Sequence, residues 1–310
     1  MFLGIDTSCY TTSAALFDCS GALLADKRTL LAVSPNGRGL RQSEMVFRHI
    51  KNLPSLLEEI FAERSVRLKA IAVSEKPRPS ANSYMPAFVG GVAVARSLSA
   101  ALGVKLYQAS HQENHIEAGL WSAGAPQGAC FVALHVSGGT TDLILAKRRG
   151  NRLSIAGIGG SVDLSAGQYI DRIGVEMGLC FPAGRPLEEL AAKADGALEI
   201  PVAVKGLSAS YSGPFSASRR LLQKGADRRS LAAGIQAALA ESFARLVQNA
   251  CAHSNCREAL LVGGVASNLF MRGYVAEKMA KAGIGVYFPL PEFCRDNAVG
   301  CAAVALREGG

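Results

Sequence analysis

Several familiar signals are missing from this chain, and each absence closes a functional class. The eight cysteines, at 9, 19, 130, 180, 251, 256, 294 and 301, contain no Cys-x-x-Cys pair. Most lie in apolar segments, so reduced packing thiols are expected in place of a disulfide framework or a zinc knuckle. No apolar run reaches the length of a membrane span. The start, Met1-Phe2-Leu3-Gly4-Ile5-Asp6, lacks a basic region followed by an apolar signal core, so a soluble, cytoplasmic protein without membrane association is expected. A Walker phosphate loop and a dinucleotide fingerprint are both missing. Gln112 follows His111, and Glu113 comes one later, so the zincin protease signature is absent as well.

What the chain has is apolar mass and a repeated pattern. A hydrophobic content of 49% is ample for a packed interior, and 310 residues are long for one core, so two domains are expected. The formal charge of +8 fits a polyanionic partner such as RNA. Basic clusters stand at Lys147-Arg148-Arg149 with Arg152, and at Arg219-Arg220, Lys224 and Arg228-Arg229. Taken singly, each reads as a solvated helix face.

Residues 2–6 form an apolar strand ending in Asp6-Thr7-Ser8, and runs at 13–17 and 22–25 follow across short turns, an antiparallel meander. Residues 30–42, with Pro35, Asn36, Gly37 and Gly39, read as a mobile loop. Helices are expected at 43–64, interrupted or kinked near Pro54, and at 86–102, with short strands at 70–74 and 104–108. A second meander follows at 129–136, 141–147 and 153–157, then helices at 165–179, 185–195, 213–223 and 228–253. A strand at 260–262 runs into Gly263-Gly264 and a helix to about 282; a strand near Val286 and a helix at 296–307 complete the chain. A meander followed by helix–strand alternation thus occurs twice, as in an α/β chain with two similar domains. Two such domains facing each other would bring the turns at 6–8 and 137–142 to one cleft, with 263–268 at its rim.

Candidate functional groups gather at the turns of this pattern. In Ser137-Gly138-Gly139-Thr140-Thr141-Asp142, paired glycines allow backbone to approach a ligand, and successive N–H groups can form an anion nest. A plain hairpin turn accounts for the stretch equally well. Ser110 is placed to cap a helix in which His111 and His115, four apart, share one face. That is half of a metal site and needs a third ligand, surface or capping histidines being the other reading. Asp296 reads as a first-turn carboxylate stabilised by a helix dipole, or as that third ligand. Asp171 lies in the 165–179 helix, where a solvated carboxylate is the ordinary expectation. Glu188, in the first turn after Pro182-Ala183-Gly184, reads as a cap or as a ligand contact. Gly263-Gly264 would admit a nucleotide, with Asn268 reading a ring edge.

Taken in order, Gly4-Ile-Asp-Thr-Ser-Cys9, His111-Gln-Glu-Asn-His115, Val136-Ser-Gly-Gly-Thr140, Ala166-Gly167 with Asp171, Pro182-Ala-Gly184, Gly263-Gly-Val-Ala-Ser-Asn268 and Phe293-Cys-Arg-Asp-Asn297 resemble the TsaD/Gcp (Kae/Qri) family over essentially the whole chain. That family, formerly described as O-sialoglycoprotein endopeptidases, makes threonylcarbamoyladenosine in tRNAs that read codons beginning with A. The resemblance implies an α/β, actin-like ATPase/sugar-kinase (ASKHA) fold with two duplicated RNase H-like domains around an interdomain cleft. Residues 1–108 would form the first domain, with 294–310 packing back on it, 109–128 the metal-ligand helix and linker, and 129–293 the second domain. It implies that His111, His115 and Asp296 hold one divalent metal, iron by expectation with zinc or manganese as alternatives. Ser137, Gly138, Gly139, Thr140, Asp171, Gly184 and Asn268 would hold ATP or threonylcarbamoyl-AMP, with Glu188 near the ribose. No catalytic residue is assigned. The implied substrate is tRNA, the implied partners are a TsaB-like paralogous subunit and a TsaE-like ATPase, and the implied assembly is a homo- or heterodimer.

The chain also departs from the family. Tyr10 and Thr11 replace an acidic pair, and Thr140, Thr141 and Asp142 replace His-Thr-Gln. Tyr211-Ser212-Gly213-Pro214-Phe215 replaces Phe-Ser-Gly-Leu-Lys, and Glu75-Lys-Pro-Arg-Pro-Ser80 replaces a Gly-Pro-Gly loop. Metal and adenosine positions are kept while positions near the reacting group change, as in a divergent paralogue. The expected activity is metal-assisted transfer of a threonylcarbamoyl group from threonylcarbamoyl-AMP to the exocyclic amine of the tRNA adenosine next to the anticodon. The alternatives are a non-catalytic nucleotide- and metal-binding subunit, or a small-molecule carbamoyl transferase or kinase-like ATPase on the same fold. A protease is disfavoured, since neither a nucleophile–base pair nor a zincin motif is visible.

Overall fold

The computed structural model describes residues 1–8, 10–32, 40–62, 66–150 and 152–310. Cys9 of the first motif, residues 33–39 of the expected mobile loop and residues 63 and 64 of the expected first helix lie outside the described residues. The chain divides into two compact units: Met1–Gly124 with Arg148–Leu153 and Arg295–Gly310, and Ala125–Lys147 with Ser154–Cys294.

In the first unit, β1 (Phe2–Asp6), β2 (Thr11–Phe17), β3 (Leu23–Leu30), β4 (Ala70–Lys76) and β5 (Lys105–Ser110) form one sheet in the order β3-β2-β1-β4-β5. The meander pairs antiparallel, with Phe2 opposite Phe17, and β4 and β5 join in parallel. Every residue of β1 is buried, which is why a central strand reads as a continuous apolar run and not as alternation. Leu3, Ile5, Leu16, Ile71 and Val73 form a core with Leu53, Leu57 and Ile60 of α1 (Gln42–Phe61). Pro54 lies inside α1 without ending it, a correction to the expected interruption; its ring removes one backbone donor while the buried face carries on to Ile60. α2 (Phe88–Leu102), α3 (His111–Ala123) and α10 (Val299–Gly309) complete this unit. A Cβ at Gly4 would run into the backbone of Ala298 and Ala302, so α10 approaches β1 this closely only because residue 4 is glycine.

The strands of the second sheet are β6 (Cys130–Val136), β7 (Thr141–Arg149), β8 (Arg152–Ser161), β9 (Val204–Lys205), β10 (Ser208–Ala209), β11 (Glu258–Val262) and β12 (Gly285–Tyr287), all in the second unit except for Arg148–Leu153 at the β7–β8 turn. Their order is β12-β11-β6-β7-β8-β10-β9. Read from β8 to β12, this repeats the order of the first sheet, and β10 and β9 extend it beyond β8. Those two strands have two residues each, too few for alternation to show in the sequence. The helices are α4 (Ala166–Glu176), α5 (Gly184–Ala191), α6 (Ser212–Gln223), α7 (Arg228–Ser254), α8 (Leu269–Lys281) and the single turn α9 (Pro291–Cys294). α7 runs through the core, burying Leu231, Ile235, Leu239, Phe243 and Val247 with Tyr169 and Tyr211.

Among the described residues no helix is long and apolar enough to cross a membrane. No disulfide joins the described cysteines.

Candidate functional site

The histidine pair owes its placement to a cap. The Ser110 side chain accepts from the Glu113 N–H at 3.1 Å, and the Glu113 carboxylate accepts the Ser110 N–H at 2.6 Å, so α3 starts at His111. A spacing of four then stacks His111 and His115 with ring centroids 4.5 Å apart, edge to face. Asn114, fully buried between them in sequence, donates to the Asn297 carbonyl at 2.6 Å and accepts the Cys301 N–H at 2.8 Å. These bonds tie the segment carrying Asp296 to α3. Asp296 Oδ1 lies 3.5 Å from His111 Nε2 and 3.3 Å from His115 Nε2. One ligand atom from each of His111, His115 and Asp296 can be chosen so that all lie within 4.8 Å of one another. Asp296 precedes α10 instead of opening it: the Asn297 side chain accepts the Val299 N–H at 2.9 Å and starts the helix there. The helix-dipole reading of Asp296 is therefore corrected.

Behind His111 stands Asp6, at the end of β1 and fully buried. Its Oδ1 lies 3.3 Å from His111 Nδ1, and its Oδ2 accepts the Ser8 hydroxyl at 2.5 Å. Burial disfavours a charged His111, but the Asp6 charge and the bonds to Asp296 and Asp6 outweigh it and raise its pKa to about 10. Burial and the His111 charge hold His115 below its usual value. Burial would push the Asp296 carboxyl up, yet the bonds from His111 and His115 hold it well below the usual carboxylate range. A proton on His111 thus balances part of the charge of two carboxylates. A divalent cation would balance it more fully, and two imidazole nitrogens with a carboxylate are a donor set that suits iron, zinc or manganese. The residues fit such an ion.

In the second unit, the Ser137 N–H donates to the Thr140 carbonyl at 2.9 Å, the Thr140 N–H donates to Ser137 Oγ at 3.2 Å, and their hydroxyls lie 2.8 Å apart. An added Cβ at Gly138 or Gly139 would meet nothing within 4 Å. Gly167, in the first turn of α4, is the opposite case: its Cβ would press on the Ser137 carbonyl and Gly138 Cα. Packing therefore demands Gly167 but not Gly138 or Gly139, whose openness suits an anion nest. Asp171 accepts the Ala183 N–H at 2.7 Å, beside Gly184, and burial outweighs that bond and raises its pKa. The expected solvated carboxylate is corrected to a half-buried one holding the α4–α5 corner. Glu188 lies beyond the first turn of α5 and accepts the Leu269 N–H at 2.7 Å, so it supports the start of α8 and not its own helix. Asn268 accepts the Met271 N–H at 2.9 Å and donates to Gln236 of α7 at 2.8 Å.

The departures from the family have local roles. Tyr10 packs with Leu31, Met45 and Ala87. Phe215 lies edge-on to Tyr169 at 6.2 Å, and Asp142 stands opposite His135 in the β6–β7 ladder. The sequence places Asp6 at a turn expected to face the cleft but gives it no role, and it assigns no role to Asn114 or Gln236. The first had a signal, an acid closing an otherwise apolar strand; the others act through residues distant in the chain.

A family model described as tRNA N6-adenosine threonylcarbamoyltransferase (TsaD) matches residues 34–303. The chain is 31% identical over 309 residues to the tRNA N6-adenosine threonylcarbamoyltransferase of Thermus thermophilus, covering 98% of this chain and 92% of that protein. It is 30% identical over 295 residues to a probable bifunctional tRNA threonylcarbamoyladenosine biosynthesis protein of Methanothermobacter thermautotrophicus; 95% of this chain is covered, but it spans only 53% of that protein's length. Among solved structures, the activator of the 2-hydroxyisocaproyl-CoA dehydratase from Clostridium difficile with bound ADPNP matches at a TM-score of 0.58 and 14% identity, over 100% of this chain and 96% of that one. This last likeness carries the fold, which is of the actin-like ATPase and kinase type.

Proposed function

The chain belongs to the TsaD family of tRNA N6-adenosine threonylcarbamoyltransferases, and from that membership we propose that it transfers a threonylcarbamoyl group from threonylcarbamoyl-AMP to the exocyclic amine of the tRNA adenosine beside the anticodon. The family's enzymes are acyltransferases. The observation that carries the proposal is the convergence of His111, His115 and Asp296 within 4.8 Å. Acyl transfer from an adenylate develops negative charge on a carbonyl oxygen and releases a phosphate anion, so it needs centres for both. An iron, zinc or manganese ion held by those three residues would supply Lewis acidity toward such oxygens.

The chain's own residues account for binding. The Gly138 and Gly139 N–H groups and the Ser137 hydroxyl would take the phosphate. Asp171, Gly184, Glu188 and Asn268 would take the adenosine. In the transfer, the amine nitrogen bonds to the carbamoyl carbon, the bond from that carbon to the AMP oxygen breaks, and the amine loses a proton. An anticodon loop presents unstacked bases, and exposed Lys147, Arg148, Arg149 and Arg152 offer cations to its backbone. α1 exposes Phe47 and Ile50 and α2 exposes Val89, an apolar strip that suits a TsaB-like subunit.

The purified chain, with the family's partner proteins, unmodified tRNA and threonylcarbamoyl-adenylate, is expected to give the modified nucleoside by mass spectrometry, and chelation is expected to abolish it. No product under conditions in which the Thermus relative works would overturn the proposal. A second reading, a nucleotide-binding subunit without turnover, draws on Thr140, whose hydroxyl is engaged with Ser137 within its own turn. ATP binding with no transfer would select it.

A further inference from the structure

Asp6 borders the proposed metal centre but has no part in the ligand set. His111 sits between two carboxylates, Asp6 on its Nδ1 side at 3.3 Å and Asp296 on its Nε2 side at 3.5 Å. The two are unlike. The Asp296 side chain stays 27% exposed and reaches both histidines, whereas Asp6 is wholly enclosed. Asp6 is also held in place from several directions. Its Oδ2 accepts from Ser8, and its carbonyl accepts the Ser13 hydroxyl at 3.1 Å. The next residue, Thr7, donates to the Ala87 carbonyl at 3.1 Å and accepts the Gly91 N–H at 3.2 Å. A carboxylate fixed this way cannot swing round to join Asp296.

A neutral imidazole carries its proton on one nitrogen and a lone pair on the other. A carboxylate fixed at Nδ1 keeps the proton there and turns the Nε2 lone pair toward His115 and Asp296. We infer that Asp6 is a positioning residue of the metal centre, setting the tautomer and ring plane of His111 through Nδ1 so that Nε2 meets the ion. This rests on the metal reading of His111, His115 and Asp296, and extends it from α3 to the end of β1.

The test is a competition titration of the metal-free chain with Zn²⁺ and with Mn²⁺ against a chromophoric chelator, wild type beside Asp6→Asn. Asparagine keeps the shape and an acceptor oxygen but removes the charge. The expected result, with proton competition at His111 removed by extrapolating each Kd to the pH above which it no longer changes, is a Kd weakened by about 10- to 100-fold, with the circular dichroism spectrum unchanged and the visible bands of the Co²⁺-loaded protein shifted. A merely structural role would lower the Tm and leave the Kd of the folded protein and the Co²⁺ bands where they were, and that result overturns the inference. Should Asp6→Asn not fold, Ser8→Ala keeps the carboxylate and removes the hydroxyl that fixes Oδ2. A Kd weakened by about 2- to 5-fold supports the inference, on the scale of one hydrogen bond; an unchanged Kd overturns it. A wild-type chain that binds neither ion overturns the metal reading itself, so the two failures are distinguishable.

Discussion

The two units repeat one strand order and differ at the same corner of it. In the first, β1 ends on a buried carboxylate that touches a histidine. In the second, the β6–β7 connection is a serine–glycine–glycine–threonine turn bonded to itself and to Ser165, whose hydroxyl donates to the Gly138 carbonyl at 2.9 Å. Backbone topology is alike in both and delivers the end of a central strand to a turn. On the proposed function the groups at each corner would set the sign of what it collects: carboxylates and imidazoles suit a cation, and open backbone amides suit an anion. The comparison holds only if each corner can be disabled without disabling the other.

The largest expected effect is at the cation corner. His115→Ala should weaken binding of a divalent ion by more than the roughly 10- to 100-fold that a supporting residue is worth. ATP affinity, followed by fluorescence of a labelled nucleotide, should stay within a factor of two or so. An equal loss of both would break the comparison.

The anion corner is tested by two glycines of opposite kind. Gly139→Val places a side chain in open space, so the Tm should hold while nucleotide affinity falls by about tenfold, or about 1.4 kcal/mol. Gly167→Ala drives a methyl into the Ser137 carbonyl and should cost about 1–3 kcal/mol of stability, read by denaturant unfolding. If Gly139→Val destabilises the fold instead, the turn is structural and the anion reading of that corner is lost.

How much of this was legible beforehand follows the range of the interactions. The central strands, the Ser110 cap and the histidine pair depend on neighbours a few residues away, and periodicity and spacing expose them. The Asp6–His111 contact joins residues 105 apart, and the Asn114–Asn297 bond residues 183 apart. No local pattern encodes such distances. The same limit explains why Glu188 reads as a cap for its own helix when it supports α8, and why a helix expected from Asp296 begins at Val299, where the Asn297 side chain meets the first free N–H.

A proton probes the cation corner as well. The folded-state pKa of His111 is raised from 6.5 to about 10. Its contribution to stability is therefore complete below about pH 6.5 and lost as pH rises through about 10. The metal-free chain should show a falling Tm across that window. An ion that takes the proton's place should bind up to about tenfold more tightly for each unit by which pH rises toward 10, because each ion releases a proton. A binding constant independent of pH between 7 and 9 would mean that the ion leaves His111 protonated.

The smallest expected effect tests the comparison at Glu188. Glu188 accepts the first N–H of α8, the second unit's parallel to Asp6 supporting His111. Glu188→Gln keeps an acceptor and removes a charge from a helix N-terminus, so it should cost about 0.3–1 kcal/mol. Thermal unfolding with and without ATP then separates its two roles. If Glu188 only supports α8, the Tm falls by the same amount in both conditions. If it also meets the ribose, the rise in Tm that ATP produces shrinks in the variant, because ligand stabilisation scales with the logarithm of affinity. The first result would make the acids of both units supports for neighbouring groups; the second would give the anion corner an acid that touches the ligand, which Asp6 does not.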